Sequence, residues 1–412
     1  MEPDRLTKPY AIIPNCETRA MEGIISSLGK RGIPLIGLST DPKCTAFYSK
    51  YLTQKLISPD PKDEDRFIAY LVEAVPKGVL LTSNDQTAVL FSRHEESLRE
   101  HGFLLNVPPL EKLFDGFDKW QCYLNAKRLG IPTAETLLIT SQEEALAAAD
   151  HLGYPHIIKA TRLAGGNYKR INTPEEVLPA FDQMQALVTS PQNLVMNASL
   201  IAQKWLNYEV ENIWCVESYY DTHGKARGFW PIRKWRTVIY KDGTYGSRLY
   251  AGECVEQEEL ATLSRTLLDG LDWRGFAHLD LMYVPKEKTF FLTEINPRLP
   301  GFSFFPSHAG FEMAYFYYAD LVGEVFEVPP VINSIYFEIL RHPGDFTSTL
   351  VACLKKKYSF KAFIGSYVKA LTSKVPVYID YFDMNEKKMT FNNFLKILKS
   401  LAFEVRGITR WG

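Results

Sequence analysis

The 412-residue chain lacks the features that mark several specialised classes of protein. Its six cysteines, Cys16, Cys44, Cys122, Cys215, Cys254 and Cys353, stand far apart, with no CxxC and no Cys/His cluster at zinc spacing. That pattern excludes a disulfide scaffold and a zinc finger, and predicts reduced, mostly buried thiols. No run of about 18 apolar residues occurs, so no spanning helix is expected. The opening MEPDRLTKPY is charged and has no apolar core, so it does not read as a secretory signal, and a cytoplasmic location is expected. An excess of one charge is also missing. The 47 basic and 48 acidic side chains leave a net charge of −1, which argues against a dedicated nucleic-acid binder. Pro14-Asn15-Cys16 follows the first apolar run where a dinucleotide site would carry GxGxxG. There is no fixed-period repeat and no Ser-His-Asp or Cys-His pattern.

What is present is an average globular composition, 46% apolar and 23% charged, at a length that suits two or three domains. The near-zero net charge conceals an asymmetry. Residues 331–412 hold 13 Lys/Arg against 6 Asp/Glu, a net of +7, so the preceding body is acidic.

Residues 1–112 alternate apolar runs (Tyr10–Pro14, Ile33–Leu38, Val79–Thr82) with helical periodicities (Thr18–Lys30, Arg66–Ala74, Gln86–Arg99). That alternation predicts a parallel sheet with crossover helices. A composition shift at Asn106–Pro109 marks a boundary. Residues 113–195 then read as a mixed α/β lobe with a small-residue loop, Thr161–Asn167. Residues 196–330 are richer in antiparallel-strand patterning, with helices at Gln257–Leu271 and Gly310–Val322. Residues 331–412 form a basic, aromatic C-terminal subdomain.

The sharpest chemical signal is Thr293–Arg298, TEINPR, on the second strand of a hairpin formed by Gly275–Val284 and Thr289–Asn296. Strand alternation puts Glu294 and Asn296 on one face, and His278 and Asp280 on one face of the partner strand. A fold about Glu287 sets Asp280 opposite Glu294. Two carboxylates and an amide oxygen suit a hard cation such as Mg²⁺, which in turn implies phosphates. By the hairpin alone, a solvent-facing polar strand is equally open.

Three weaker signals lie upstream. Lys159 ends an apolar strand before Gly165-Gly166, where backbone could approach phosphate oxygens; an ordinary strand-end lysine and a plain turn remain open. Arg233, Lys234 and Arg236 concentrate charge on one strand, as an anion pocket or a solvated edge. Ile201–Glu211 offers backbone groups at Gln203–Leu206 for an adenine edge and Glu209 for ribose hydroxyls, or simply a strand pair with a surface glutamate.

In order, Lys119, Lys159, the glycine loop, the strand with Glu209, Arg236, Asp280 and Glu294-x-Asn296-Pro-Arg298 resemble the ATP-grasp superfamily, most of all its carboxylate–amine ligase branch. The resemblance covers about residues 8–330. It implies an N-terminal parallel-sheet domain, an ATP-grasp fold and a small C-terminal extension. It further implies that Lys119, Lys159, Gly165, Gly166, Gln203, Lys204, Leu206 and Glu209 bind ATP, and that Asp280, Glu294 and Asn296 hold two Mg²⁺. Arg298, Arg236 and Lys159 would neutralise the transferred phosphoryl group, with the register at 233–236 open by a position or two.

The implied reaction joins a small-molecule carboxylate, such as an amino acid or short peptide, to an amine through an acyl phosphate. A different nucleophile, as in a carboxylase, a nucleotide-binding scaffold without catalysis, and a membrane- or polymer-associated protein acting through the tail are the competing readings. A homodimer is compatible with the resemblance. Tyr315 and Tyr318 follow helical spacing with Phe311 and are expected in the core; His308 is expected to be structural. In the tail, lysines interleave with aromatics and Phe391–Leu401 has amphipathic spacing. That suits a carrier protein or an anionic membrane surface, or a subdomain packed on the acidic body.

Overall fold

The computed structural model describes residues 8–379 apart from 164–166, 191–192, 194–195, 240–244, 339–348, 351, 355 and 357. The first unit is built on β1 (Tyr10–Ile13), α1 (Arg19–Lys30), β2 (Leu35–Ser39), β3 (Leu52–Ile57), α2 (Glu64–Ala74), β4 (Gly78–Leu80), α3 (Asp85–Arg93) and α4 (Glu95–Glu100). Its four strands are parallel, in the order β3-β2-β1-β4. β1 and β2 are buried on both faces, which is why they read as continuous apolar runs. Strand β3 escapes that pattern because it is an edge strand with alternate residues exposed, LTQKLI. The helix expected over Gln86–Arg99 is two helices that meet at His94. Asn84 caps the first of them in a reciprocal capping box with Thr87. Cys16 and Cys44, 28 residues apart in sequence, bring their sulfurs to 3.6 Å in this unit; all six cysteines are free, and five are buried.

The second unit carries α5 (Leu110–Phe117), α6 (Lys119–Arg128), β5 (Thr136–Ile139), α7 (Gln142–Leu152), β6 (His156–Ala160), β7 (Tyr168–Ile171), α8 (Val177–Val188) and β8 (Leu200–Lys204). Its strands form an antiparallel sheet, β5-β8-β6-β7, backed by α7 and α8. Asp118 caps α6 by accepting the Trp120 and Gln121 amides, and so fixes where Lys119 starts the helix.

The largest sheet joins β9 (Ile213–Tyr220), β10 (Ala226–Ile239), β11 (Tyr245–Cys254), β12 (Gly275–Val284) and β13 (Thr289–Asn296) to β14 (Ser334–Phe337) and β15 (Val377–Ile379). The order is β13-β12-β9-β10-β11-β14-β15. Helix α9 (Glu258–Gly270) covers one side. A short helix, α10 (Phe304–His308), precedes α11 (Met313–Val322), which is the helix expected over Gly310–Val322 and is closed by Gly323 at φ +73°. Phe311 and Tyr318 are core residues here, and His308 gives Nδ1 to the Phe304 carbonyl at 2.6 Å. Helix α12 (Phe360–Leu371) belongs to the basic tail.

The proposed boundary at Asn106–Pro109 is a buried seam. The Asn106 side-chain amide donates to Tyr219 Oη and the Tyr220 carbonyl, and its backbone N–H donates to Tyr317 Oη. Gly275 meets this seam at φ +77°, where a Cβ would lie 2.3 Å from the Asn106 carbonyl oxygen. Only glycine fits that close approach.

Candidate active site

Strands β12 and β13 set Asp280 opposite Glu294 and His278 opposite Asn296. Nearer the turn the register differs by one residue: Val284 faces Thr289, and Leu281 faces Leu292. A bulge that inserts Thr293 corrects the register, and Thr293 Oγ1 bonds the Asp280 carbonyl at 2.9 Å. The hairpin therefore does not turn about Glu287. The carboxylates pair because the bulge supplies the missing residue.

These side chains sit in a dense charge network. Asp280 accepts from Lys234 Nζ at 3.0 Å, from His278 Nε2 at 3.2 Å and from Asn296 Nδ2 at 3.4 Å. His278 Nδ1 meets Glu217 Oε1 at 2.6 Å. Glu294 is 3.3 Å from Lys119 Nζ and 3.4 Å from Asn296 Nδ2. Arg298 forms an ion pair with Asp85 of the first unit at 3.1 Å and donates to Asn296 Oδ1 at 3.4 Å.

Burial works against the charges of Asp280, His278, Lys234 and Arg298, and the pairing decides the outcome. At Asp280 burial is outweighed by Lys234 and His278, which hold the carboxyl well below its usual range. At His278 burial is outweighed by Glu217 and Asp280, which push the ring up to about 9. Burial likewise loses to Asp280 at Lys234, and to Asp85, Asp280 and Glu294 at Arg298, so both are raised. Lys159 is the exception: burial, with Lys119 beside it, brings its ammonium down to about 8. It is a poised cation with no carboxylate strong enough to compensate.

The network closes one end of a cleft of about 150 Å³ between the two later sheets, open to solvent. Lys119, Lys159, Lys234, Asp280 and Glu294 line that end. Ile157, Ala160, Leu163, Ile213, Leu281 and Met282 make its apolar floor. Beyond them Gln203, Lys204, Trp205, Leu206 and Tyr208 form the far wall as the chain leaves β8. Gln203 is pinned there by its bond to Thr136 Oγ1 at 2.8 Å. Trp205 lies between Tyr168 and Tyr208, with ring centroids 6.5 and 5.5 Å away, and the Arg170 guanidinium sits over it. An apolar slot with a cationic end matches a flat heterocycle carrying phosphates.

Of the expected residues that the structure describes, Glu209, Arg236, Asn296 and Arg298 are not among those that line the cleft. Glu209 is exposed just past Tyr208 and caps the short turn Val210–Asn212. Gly165 and Gly166 lie outside the described residues. Arg236 is placed on the opposite side of the sheet. Lys234 pairs with Gly252 and Arg236 with Ala251, so Trp235 is the extra residue of a bulge and the alternation breaks. Arg236 is buried against Phe337, Phe363 and Tyr367 and bonds Ser366 Oγ and Tyr367 Oη, all from the C-terminal subdomain. Lys234 reaches Asp280 in its stead.

Glu217 and Asp85 were not singled out from sequence. Glu217 is fully buried within an apolar strand, IWCVESYY, and an acid in such a run is itself a signal. Asp85 stands at the first turn of α3, whose packing against Arg298 no local pattern encodes.

The residues fit a hard cation. Asp280, Glu294 and Asn296 offer oxygen donors, and Glu217 Oε2 is buried with no hydrogen-bond partner. Lys234 and His278 at present supply the positive charge that a metal would bring to Asp280. Among the described residues, Cys215, Glu217 and His278 also cluster within 4.8 Å, but burial raises the Cys215 thiol well above its usual value, so it stays protonated and ligates poorly.

Residues 118–213 match the family model described as the carbamoyl-phosphate synthase L chain, ATP binding domain. The chain is 25% identical over 268 residues to the carbamoyl phosphate synthase arginine-specific large chain of Bacillus subtilis (strain 168). That alignment takes in 61% of this chain and 24% of the relative, so the chain spans about a quarter of that protein's length. The fold is similar to the carboxyaminoimidazole ribonucleotide synthase of Aspergillus clavatus complexed with ATP, with a TM-score of 0.64 and 13% identity, covering 84% of this chain and 87% of that one. It is also similar to the biotin carboxylase domain dimer of the Hydrogenobacter thermophilus 2-oxoglutarate carboxylase, in complex with MgADP, ADP and bicarbonate. There the TM-score is 0.60 and the identity 14%, over 77% and 70% of the two chains.

Proposed function

We propose, starting from the ATP-grasp fold that this chain has, that it is an ATP-dependent ligase joining a small carboxylate to an amine through an acyl phosphate. The observation that carries the reading is the pairing of Asp280 and Glu294 across one hairpin, facing Lys119 and Lys159 across one cleft. In this reading the Trp205–Leu206 wall takes the adenine. Glu209, at the mouth, is within the segment that would meet the ribose. Lys119 and Lys159 hold phosphate oxygens, and Gly165 and Gly166 would offer backbone amides to the same phosphates.

Asp280, Glu294 and Asn296 would hold Mg²⁺, two ions in the fullest form of the reading, and bound Mg²⁺ neutralises phosphate charge. The chain's own groups do the rest. Lys159 offers a cation that strengthens when an anion arrives. Arg298, held by Asp85 and Asn296, would meet the carboxylate substrate and the transferred phosphoryl group. A carboxylate oxygen attacks the γ-phosphorus and ADP leaves; the amine then attacks the acyl carbon and phosphate leaves. Catalysis needs alignment and charge neutralisation, and no protein nucleophile.

A second reading is favoured by the solved structures of similar fold, whose names include a carboxylase and a carboxyaminoimidazole synthase. In it bicarbonate is the carboxylate that is activated. Phosphate release from ATP, measured with pooled amino acids in bicarbonate-free buffer and again with bicarbonate alone, separates the two. Release that needs an amine and a carboxylate supports the ligase; release on bicarbonate alone overturns it in favour of the carboxylase. No release under either condition overturns both.

A further inference from the structure

Among the described residues, none of the basic tail lines the cleft, yet its helix α12 presents a patterned surface. With about 3.6 residues per turn, α12 divides into three arcs. One arc, with Phe363, Ser366 and Tyr367, packs on the largest sheet around Phe337 and Arg236. The next arc is apolar and faces outward: Phe360 is 54% exposed, Ile364 45%, Val368 50% and Leu371 87%. The third carries Lys361, Gly365, Lys369 and Thr372, all exposed.

Single exposed apolar side chains are ordinary; a stripe at i, i+4, i+8 and i+11 is not. The charge around it is one-sided. From Phe346 to Ile379 the sequence holds six lysines and no Asp or Glu. Lys369 is used by Glu253 at 2.8 Å, while Lys356, Lys361 and Lys374 are exposed. A membrane of anionic lipid is complementary to both features at once. The apolar arc would enter the boundary between headgroups and acyl chains, and the lysines would reach the phosphates beside it. The helix has 12 residues, and among the described residues no helix is long and apolar enough to cross a membrane, so it would lie in the plane of the surface.

We propose that α12 is an interfacial helix that docks this protein on anionic lipid membranes through Phe360, Ile364, Val368 and Leu371. Its inner face encloses Arg236, on the side of the sheet opposite Lys234.

The test is co-sedimentation of the full chain with vesicles of phosphatidylglycerol and phosphatidylcholine, against phosphatidylcholine alone, at low salt. The expected result is about tenfold greater binding to the anionic vesicles, weakened by added salt. It should be lost in Ile364→Asn/Leu371→Asn and, separately, in Lys356→Glu/Lys361→Glu/Lys374→Glu. Both variants replace outward-facing side chains, so melting temperature and ATP turnover in solution should stay at the parent values; the lysine variant tests the proposal even if the apolar one folds poorly. Equal binding to both vesicle types, or binding unchanged in both variants, overturns it. So does retention on poly-glutamate equal to that on vesicles, which assigns the face to an acidic polymer. A vesicle-free dimer that Ile364→Asn/Leu371→Asn dissociates assigns it to a second copy. An Ile364→Cys thiol that a hydrophilic maleimide fails to label without vesicles shows the stripe covered by its own chain.

Discussion

Lys234 and Arg236, two residues apart on β10, face opposite sides of the largest sheet, because Trp235 is the extra residue of a bulge between them. Lys234 reaches Asp280 in the cleft, and Arg236 is enclosed by the C-terminal subdomain. The two cations should therefore fail differently. Arg236→Met is expected to cost about 2–4 kcal/mol of stability through its lost buried bonds and ring contacts, with KM for ATP within about twofold of the parent. Lys234→Met should leave folding cooperative and reduce kcat by at least about tenfold. Thermal melts and steady-state phosphate release distinguish the two; a large KM change in Arg236→Met would return that residue to the site.

Glu294→Gln keeps the shape of the site but removes one of the paired carboxylates. ATP turnover should fall by at least about a hundredfold, since charge stabilisation at the phosphates is lost, while the melt stays close to the parent. Turnover near the parent rate would remove Glu294 from the metal set.

If Lys159 holds phosphate oxygens as proposed, nucleotide binding should consume protons. Its ammonium, brought down to about 8 by burial and Lys119, is charged below that pH and neutral above it. Phosphate oxygens favour the charged form, so binding raises this value. ATP binding at pH 8.5 should take up a fraction of a proton, at pH 6.5 essentially none from this group, and affinity should weaken as pH rises past 8. Calorimetry in buffers of different ionisation enthalpy reads the uptake directly, and Lys159→Met should abolish it.

Trp205 should matter to the base and not to the phosphates. With Tyr168 and Tyr208 beside it, Trp205→Ala is expected to raise KM for ATP about tenfold with kcat little changed. Fluorescence titration with ATP and with tripolyphosphate separates the two contributions, because only ATP affinity should fall.

Gly275→Ala tests the seam between the first unit and the largest sheet. Its Cβ would lie 2.3 Å from the Asn106 carbonyl oxygen, in a backbone conformation that L side chains disfavour. The expected loss is about 2–4 kcal/mol, seen as a lower midpoint in urea.

The first sheet, the hairpin of β12 and β13 and most helices were legible because each repeats a local period. Tyr10–Ile13 and Leu35–Ser39 announce buried parallel strands, and Gly275–Val284 with Thr289–Asn296 announce the hairpin to the residue. The edge strand Leu52–Ile57, the break at His94 and the short helix α10 were not legible, since each depends on what packs against it. In the site, the residue types and order of Lys119, Lys159, Asp280, Glu294, Asn296 and Arg298 were readable, and so was Asp280 opposite Glu294, but the bulge that produces that register and the ion pairs with Lys234, His278 and Lys119 were not. Glu217 and Asp85 come from other elements, brought within bonding distance of His278 and Arg298 by sheet order and domain packing.

By itself, then, the sequence determined the inventory: an acidic body able to gather carboxylates and lysines on strands of fixed alternation, and a basic tail without acids from Phe346 to Ile379. Tertiary structure decided how that inventory is used. Two bulges, at Thr293 and Trp235, set which side chains face the cleft, because one inserted residue reverses the face of everything beyond it. Burial then decided which charges persist, since a group removed from water keeps its charge only where a partner from another element compensates, as Lys234 and His278 do for Asp280.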